Sequence, residues 1–329
     1  MDAPLRIGVI GCGAIATSIH LRVLRRLPAV RITALADPVP EARARAGLLV
    51  RSAALLTSAD ELLDRSDVDA VVVAAPSGSH AAIALATLRS GRHIYLEKPI
   101  ATTLEDGQRV AAAARDGGVV AAIGYNWRFQ PLVVRGRELL RAGVIGEVRA
   151  VHTVFCEPVS PPARGWRARR GEGGGVLLDL GSHNFDLITW LLDARVERVD
   201  ATVSSIATEH DSALVRLELA GGVIASSFFS LRGCRAHSLE FIGERGVLRM
   251  DRPARTLSLH GTRARTSSVA LMSWRLRSLV RPRSEPSWST ALKTFVARIR
   301  GAAVELPTFD DGLRSLEIVI DAERSASVR

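Results

Sequence analysis

The stretch Arg6–Ala16, RIGVIGCGAIA, gives the clearest indication of the fold of this 329-residue chain. Its first half, Arg6–Ile10, is apolar and rich in β-branched residues, which predicts a buried strand that ends at Gly11. The second half has the glycine spacing of a loop that turns from a strand into a helix. Gly11 allows the tight turn, Gly13 lets a cofactor pyrophosphate approach the backbone, and the small Ala16 lets the helix pack on the strand.

An acidic residue follows where a dinucleotide site needs one. Arg31–Ala36 predicts a second strand, and Asp37 stands at its end, 21 residues after Ala16. The N-terminus of the intervening helix, at Ala14 and Ile15, favours phosphate charge. A carboxylate at position 37 bonds both ribose hydroxyls and repels a 2′-phosphate, so NAD is favoured over NADP. The plainer alternative is a glycine turn followed by a surface aspartate.

Working outward, the first 123 residues alternate between apolar runs and helix-like stretches. Such alternation is typical of a doubly wound parallel sheet with helices on both faces, so residues 1–123 are predicted to form a Rossmann domain. The further predicted strands are Ala70–Ala75, His93–Leu96 and Val119–Ile123, and the further predicted helices are Asp60–Leu63, Ala81–Ser90 and Leu104–Ala114.

After Gly124 the pattern changes to strands with period-two alternation. Gly221-Gly222 joins two of them as a hairpin turn, which predicts a second, mainly antiparallel sheet in an α/β domain over residues 124–329. A helix is expected over Gly181–Leu192 and a closing helix over 310–325. The predicted strands are Val148–Phe155, Val199–Ile206, Ala213–Leu219, Val223–Leu231 and Ser238–Ile242.

Composition excludes several classes of protein. Hydrophobic residues make up 47% and charged residues 24%, which excludes global disorder. No apolar run approaches 18 residues, so no membrane span is expected. The N-terminus lacks a basic region before an apolar stretch, which argues against a cleaved signal peptide. Three cysteines without ligand spacing predict a reduced cytoplasmic protein, and no metal site is expected.

The basic residues are unevenly distributed. Of 44 Lys+Arg only Lys98 and Lys293 are lysines, and residues 251–300 hold ten Arg and one Lys against Asp251 and Glu285. This segment could recognise an anionic substrate, because arginine binds phosphate with paired donors. A solvated basic surface is the plainer interpretation. Residues 252–290 show no pattern that predicts a helix or a strand.

Two further motifs predict chemistry. Glu97-Lys98-Pro99 follows the fourth strand, at the carboxyl edge where ligands bind in such sheets. An ammonium there can bond a substrate hydroxyl or carbonyl; the alternative is a solvated lysine. Further along, Asp179 and His183 are four residues apart and share one face of a helix, where the carboxylate can orient a proton-transferring imidazole. A hydrogen-bonded core histidine is the alternative for His183 alone.

Together these motifs resemble the Gfo/Idh/MocA oxidoreductases, which include glucose–fructose oxidoreductase and inositol dehydrogenase. The likeness covers nearly the whole chain, although 251–300 does not align. The motifs are GVIGCGAIA (Gly8–Ala16), ALADP (Ala34–Pro38), APSGSH (Ala75–His80), LEKP (Leu96–Pro99), GYNWRFQP (Gly124–Pro131), GGGVLLDLGSHNFD (Gly173–Asp186) and the closing PTFDDGLRSLEIVIDAERSA.

The resemblance implies reversible hydride transfer between a nicotinamide and a hydroxyl or keto carbon of a sugar or cyclitol, including amino- or nucleotide-linked sugars. It implies that Lys98 bonds the reacting oxygen, that His183 exchanges its proton, and that Asp179 holds the substrate or orients His183. It also implies an open second sheet, homo-oligomers (dimers or tetramers), and cofactor contacts from Ser77, His80, Glu97, Asn126, Trp127 and Arg128. The family often has Asn where Ser77 stands.

An alternative from another class is an NAD-sensing regulatory or nucleic-acid-binding protein that uses the basic 251–300 segment. A sequence pI of about 10.8 supports it. Aromatic residues amount to only 5%, and no recognition motif is present. The presence of lysine, aspartate and histidine at all three predicted catalytic positions argues against a sensor.

Overall fold

The computed structural model describes residues 3–159, 165–261 and 286–328. It divides into two compact units: Met1–Asn126 with Trp288–Leu316, and Trp127–Ser287 with Glu317–Arg329. We call them the first and the second unit.

The first unit contains a six-stranded sheet in the order β3-β2-β1-β4-β5-β6, in which every pairing is parallel. Its central strands are buried on both faces, as expected for a sheet with helices on either side. The predicted doubly wound sheet is therefore confirmed. The strands are β1 Leu5–Ile10, β2 Val30–Ala36, β3 Ala54–Leu56, β4 Ala70–Val73, β5 His93–Leu96 and β6 Ala121–Ile123.

Helices connect the parallel strands of this unit. Ser58 and Thr103 cap two of them, since each side-chain oxygen accepts a hydrogen bond from a backbone N–H of the first turn. Strand β3 and helix α2 were not predicted, because the first is only three residues long and the second has hardly any apolar face. The helices are α1 Leu21–Leu24, α2 Pro40–Leu49, α3 Ala59–Leu63, α4 His80–Arg89 and α5 Leu104–Asp116.

The second unit contains an eight-stranded sheet in the order β13-β12-β11-β7-β10-β9-β8-β14. Five of its seven pairings are antiparallel; β10–β7 and β14–β8 are parallel. This confirms the predicted, mainly antiparallel sheet. The strands are β7 Val148–Cys156, β8 Val196–Ser204, β9 Ser212–Leu219, β10 Val223–Ser230, β11 Ala236–Gly243, β12 Val247–Asp251, β13 Thr256–His260 and β14 Ser327–Val328.

The predicted hairpin joins β9 and β10. Gly221 and Gly222 have φ angles of 86° and 78°, a backbone conformation that favours glycine. Along β9 buried and less buried residues alternate, so one face of the sheet packs on a core.

Helices α6 Pro131–Arg141 and α7 Ser182–Leu192 lie in the second unit, and α8 Pro286–Ile299 and α9 Phe309–Ser325 follow later in the chain. Helix α9 matches the predicted closing helix. Within the segment 251–300, residues 262–285 and their arginines lie outside the described residues. Among the described helices, none combines the length and the apolar character that crossing a bilayer requires.

Candidate nicotinamide and proton-transfer site

The glycine loop after β1 has the backbone that the sequence predicts. Gly11 has a φ of +90°, and a Cβ there would lie 2.5 Å from backbone atoms of Ala74 and Ala75. Any side chain at this position would therefore force the two loops apart. At Gly13 a Cβ would meet nothing within 4 Å. That backbone stands open, as a loop that receives a pyrophosphate requires.

Asp37 lies at the end of β2 and faces this loop. One carboxylate oxygen accepts a hydrogen bond from the Cys12 N–H at 2.7 Å, and the other accepts one from the Val39 N–H at 2.8 Å. The Arg43 guanidinium donates to the Asp37 carbonyl at 2.5 Å. Burial and the neighbouring Asp37 carboxylate raise the pKa of the Cys12 thiol to about 12, so the thiol is neutral.

The helix that follows the glycine loop contains a π-helical turn, Ala16–His20. Such turns are rare and occur often at functional sites. The turn ends at His20, whose side chain is fully buried. His20 Nε2 lies 2.9 Å from Glu97 Oε1, and an ionised carboxylate only accepts, so the imidazole donates. No sequence pattern marks His20, and only its place after the glycine loop could have signalled it.

Two predicted cofactor contacts lie on the loop after β4. Ser77 and His80 are 5% and 1% exposed. His80 Nδ1 lies 2.6 Å from the Pro99 carbonyl oxygen, and Nε2 lies 2.9 Å from the Ala75 carbonyl oxygen. Burial lowers the pKa of His80. A neutral imidazole has one N–H, so it donates to one of these carbonyls at a time.

In the second unit, Asp179 lies inside another π-helical turn, Leu177–Gly181, and α7 begins directly after it. The expected α-helical spacing of Asp179 and His183 is therefore replaced by a wider turn. The His183 ring stacks on the Trp127 indole with a centroid distance of 4.2 Å and an interplanar angle of 15°. Both side chains are buried, at 7% and 6% exposure.

Two residues that the sequence did not predict pack beside this stack. The Arg252 guanidinium carbon lies 3.8 Å from the centroid of the Trp127 ring, and Arg252 Nη1 lies 2.8 Å from His237 Nδ1. Arginine only donates, so His237 Nδ1 accepts and its hydrogen is on Nε2. Burial, followed by the charges of Arg252 and Arg235, lowers the pKa of His237 to about 3. His237 is therefore neutral at pH 7.

Arg128 lies in a buried ion pair. Its Nε and Nη2 donate to the two carboxylate oxygens of Asp186 at 3.0 and 2.5 Å, respectively. The Arg128 and Asp186 side chains are 6% and 1% exposed. This paired geometry is characteristic of arginine and a carboxylate. Asp186 thus has a structural partner 58 residues away. Asn126, in the first unit, is 2% exposed.

The residues of the first unit fit a dinucleotide. The open backbone at Gly13 and the carboxylate of Asp37 stand beside the same loop, and Gly11 lets that loop approach the end of β4. Among the described residues, no cluster of histidine, cysteine, aspartate or glutamate could hold a metal ion. Fold and site thus define a nicotinamide-dependent oxidoreductase of the Rossmann type.

Comparison with known proteins identifies the family of this chain. Residues 5–125 match the oxidoreductase family with an NAD-binding Rossmann fold, and residues 133–249 match the GFO/IDH/MocA C-terminal domain. The chain belongs to the Gfo/Idh/MocA family.

Two relatives are informative. The chain is 34% identical over 252 residues to dTDP-3,4-didehydro-2,6-dideoxy-alpha-D-glucose 3-reductase of Streptomyces violaceoruber, covering 75% of this chain and 73% of the reductase. It is 27% identical over 333 residues to myo-inositol 2-dehydrogenase of Thermotoga maritima, covering 98% and 96% of the two chains.

A solved structure agrees with the fold. The WlbA dehydrogenase from Bordetella pertussis, in complex with NADH and UDP-GlcNAcA, superposes with a TM-score of 0.90 at 23% identity and covers 99% of this chain and 96% of its own. At that identity the likeness shows the fold alone.

Proposed function

We propose that this protein transfers a hydride between a nicotinamide and a hydroxyl or keto carbon of a sugar or cyclitol, including amino- and nucleotide-linked sugars. The observation that supports this most is the pair of motifs Glu97-Lys98-Pro99 and Asp179-x-x-x-His183 in a chain of this family. The relatives act on a nucleotide-linked sugar and on an inositol. The comparisons give no support to the nucleic-acid-binding or sensor alternative.

The cofactor proposed is NAD rather than NADP. Gly11, Gly13, Ala14 and Ile15 would hold the pyrophosphate, and the Asp37 carboxylate would bond the ribose and repel a 2′-phosphate. Ser77, His80, Glu97, Asn126, Trp127 and Arg128 remain the proposed further contacts. Of these, His80 and Arg128 bond protein groups, which favours a role in holding the site together. When bound, the nicotinamide accepts or supplies the hydride.

The chain's own residues handle the proton. In the oxidative direction the substrate O–H bond breaks as the carbon loses its hydride, and His183 takes the proton. Lys98 donates a hydrogen bond to the same oxygen and stabilises its developing charge. Asp179 holds the substrate or orients His183. The stacking of His183 on Trp127 fixes the plane of the imidazole, which supports this assignment.

Assembly and location are also proposals. Leu214 and Phe228 on the second sheet are 52% and 40% exposed, and such apolar side chains on an open sheet support a homo-oligomer, a dimer or tetramer. Three free cysteines support a reducing, cytoplasmic location.

A substrate panel tests the function. Free sugars, inositols, amino-cyclitols and nucleotide sugars are each offered with NAD and with NADP, and the absorbance of the reduced nicotinamide is recorded. Lys98→Met should abolish most of the turnover of any active substrate while NAD still binds. Lys293→Met, on an exposed helix position, is the matched control and should leave turnover unchanged. Equal turnover in both variants and wild type rules out the role of Lys98.

The same panel tests for an anionic substrate. If exposed arginines attract it, the KM should rise with ionic strength, because salt screens exposed charges. A KM that does not change between low and high salt contradicts recognition by the basic segment.

A further inference from the structure

The residues on either side of Lys98 each lie within hydrogen-bond distance of a buried histidine. Glu97 accepts a hydrogen bond from His20 Nε2 at 2.9 Å, and the Pro99 carbonyl oxygen lies 2.6 Å from His80 Nδ1. The two histidines are 0% and 1% exposed. Water therefore cannot readily replace either contact. The first holds the Glu97 side chain, and the second meets the Pro99 backbone.

These histidines lie in helical turns that follow two different loops. His20 ends the π-helical turn that follows the glycine loop, and His80 begins α4 after the Ala75–Ser79 segment. His80 Nε2 also reaches back to the Ala75 carbonyl at 2.9 Å. Both proposed cofactor-binding loops are thus tied directly to the segment Glu97–Pro99.

The atoms around Glu97 restrict the position of its carboxylate. A Cβ at Gly124 would lie 2.9 Å from Glu97 Oε2, so the absence of a side chain there makes room for the carboxylate. The His20 ring meets the edge of Tyr95 at a centroid distance of 6.0 Å. His20 Nδ1 has no hydrogen-bond partner among the described residues, so the bond to Glu97 is its polar anchor.

We propose that His20 and His80 are positioning residues that hold the Glu97–Pro99 segment on both sides of Lys98 and couple the two cofactor loops to the placement of Lys98. The catalytic consequence rests on the proposed function, whereas the coupling rests only on the binding of the proposed cofactor. Misplacement of a reacting group by about 1 Å can cost roughly a hundredfold in rate, so loss of either tie should be visible in kcat.

Paired amide substitutions test each tie with matched chemistry. The amide nitrogen of Gln can replace imidazole Nε2, and that of Asn can replace Nδ1. At position 20, His20→Gln should therefore keep the bond to Glu97, and His20→Asn should lose it. At position 80 the expectation is reversed, because His80→Asn keeps the contact with Pro99 and His80→Gln keeps only the one with Ala75.

Lys98 can be observed directly, because the chain has only two lysines. Labelling with ¹³Cε-lysine gives two signals, and Lys293→Arg identifies the one from Lys98. We expect NAD to displace the Lys98 signal in wild type, His20→Gln and His80→Asn, and this response to be lost in His20→Asn and His80→Gln. The latter two should also lose about tenfold or more in kcat, with a smaller change in the KM for NAD. Tyr95→Phe, which removes only the hydroxyl of the ring that packs against His20, is the packing control.

The proposal is overturned if all four variants show the wild-type response of Lys98 to NAD, whatever their melting temperatures. It is equally overturned if the two amides at each position behave alike. The NMR response needs no substrate. Full turnover by Lys98→Met would therefore refute the proposed role of Lys98 in the reaction. A failure of the coupling is seen in the NMR response instead, so the two outcomes can be told apart.

Discussion

Each unit places a buried histidine at or just after the end of a π-helical turn, but the two histidines are held differently. In the first unit, His20 donates from Nε2 to the Glu97 carboxylate at 2.9 Å. In the second, the ring of His183 stacks on Trp127 at 4.2 Å. A hydrogen bond to a carboxylate commits a ring nitrogen, whereas stacking restrains the ring through its face. A similar local backbone can therefore present a histidine that is held through a ring nitrogen or one that is held through the face of its ring.

The largest expected effect on catalysis comes from the removal of His183. We expect His183→Ala to lower kcat by roughly 10²–10⁴-fold, the contribution of a positioned acid or base. His237→Gln is the matched control beside the same indole, and its loss should be much smaller because an imidazole with a pKa of about 3 is too weak a base to take the substrate proton. Steady-state kinetics with the substrate found by the panel decide between them. A larger loss in His237→Gln would reverse the assignment.

The next largest effect concerns the buried pair that anchors this part of the second unit. Asp186→Ala leaves the Arg128 guanidinium buried without its carboxylate, so we expect a loss of about 3–5 kcal/mol in the free energy of unfolding. Urea unfolding measures it. The double change Arg128→Met with Asp186→Leu should recover much of this loss, and a single-variant loss below about 1 kcal/mol would show that the pair does not matter for stability.

Acid should weaken the second unit through His237. Its pKa is about 3 in the folded protein and near 6.5 when unfolded, so the unfolded chain binds more protons below pH 6.5. Stability therefore falls as the pH falls from 6.5 towards 3, by about 2 kcal/mol from this residue between pH 7 and pH 5. Urea unfolding at the two values checks it. His237→Gln should show a smaller acid loss, and an unchanged loss would contradict the assignment.

The smallest effect separates two glycines of the first unit. Gly13→Ala meets no neighbour within 4 Å, so stability should hold while the Kd for NAD rises by about tenfold through contact with the pyrophosphate. Gly11→Ala, at a φ of +90° and against the Ala74 backbone, should instead destabilise the fold. Thermal unfolding and NAD titration distinguish them. Wild-type affinity in Gly13→Ala would show that the pyrophosphate does not approach there.

Much of the molecule could be predicted from local sequence. The strand, glycine loop and helix of Arg6–Ala16, the acid at Asp37 and the Gly221-Gly222 hairpin depend on backbone freedom and on apolar periodicity. Both act over a few residues, so a single sequence displays them. The motifs around Lys98 and His183 were visible for the same reason.

Only the tertiary structure decided which side chains meet. The bond between His20 and Glu97 joins residues 77 positions apart, and the pair of Arg128 with Asp186 spans 58. No local pattern marks such partners, because they are chosen by the packing of strands and helices that are distant in sequence. The neutral state of His237 likewise depends on burial and on Arg252, which lies beside it only once β11 and β12 have paired. Local patterns in the chain therefore set the fold class and the candidate chemistry, whereas long-range packing sets how each histidine is held.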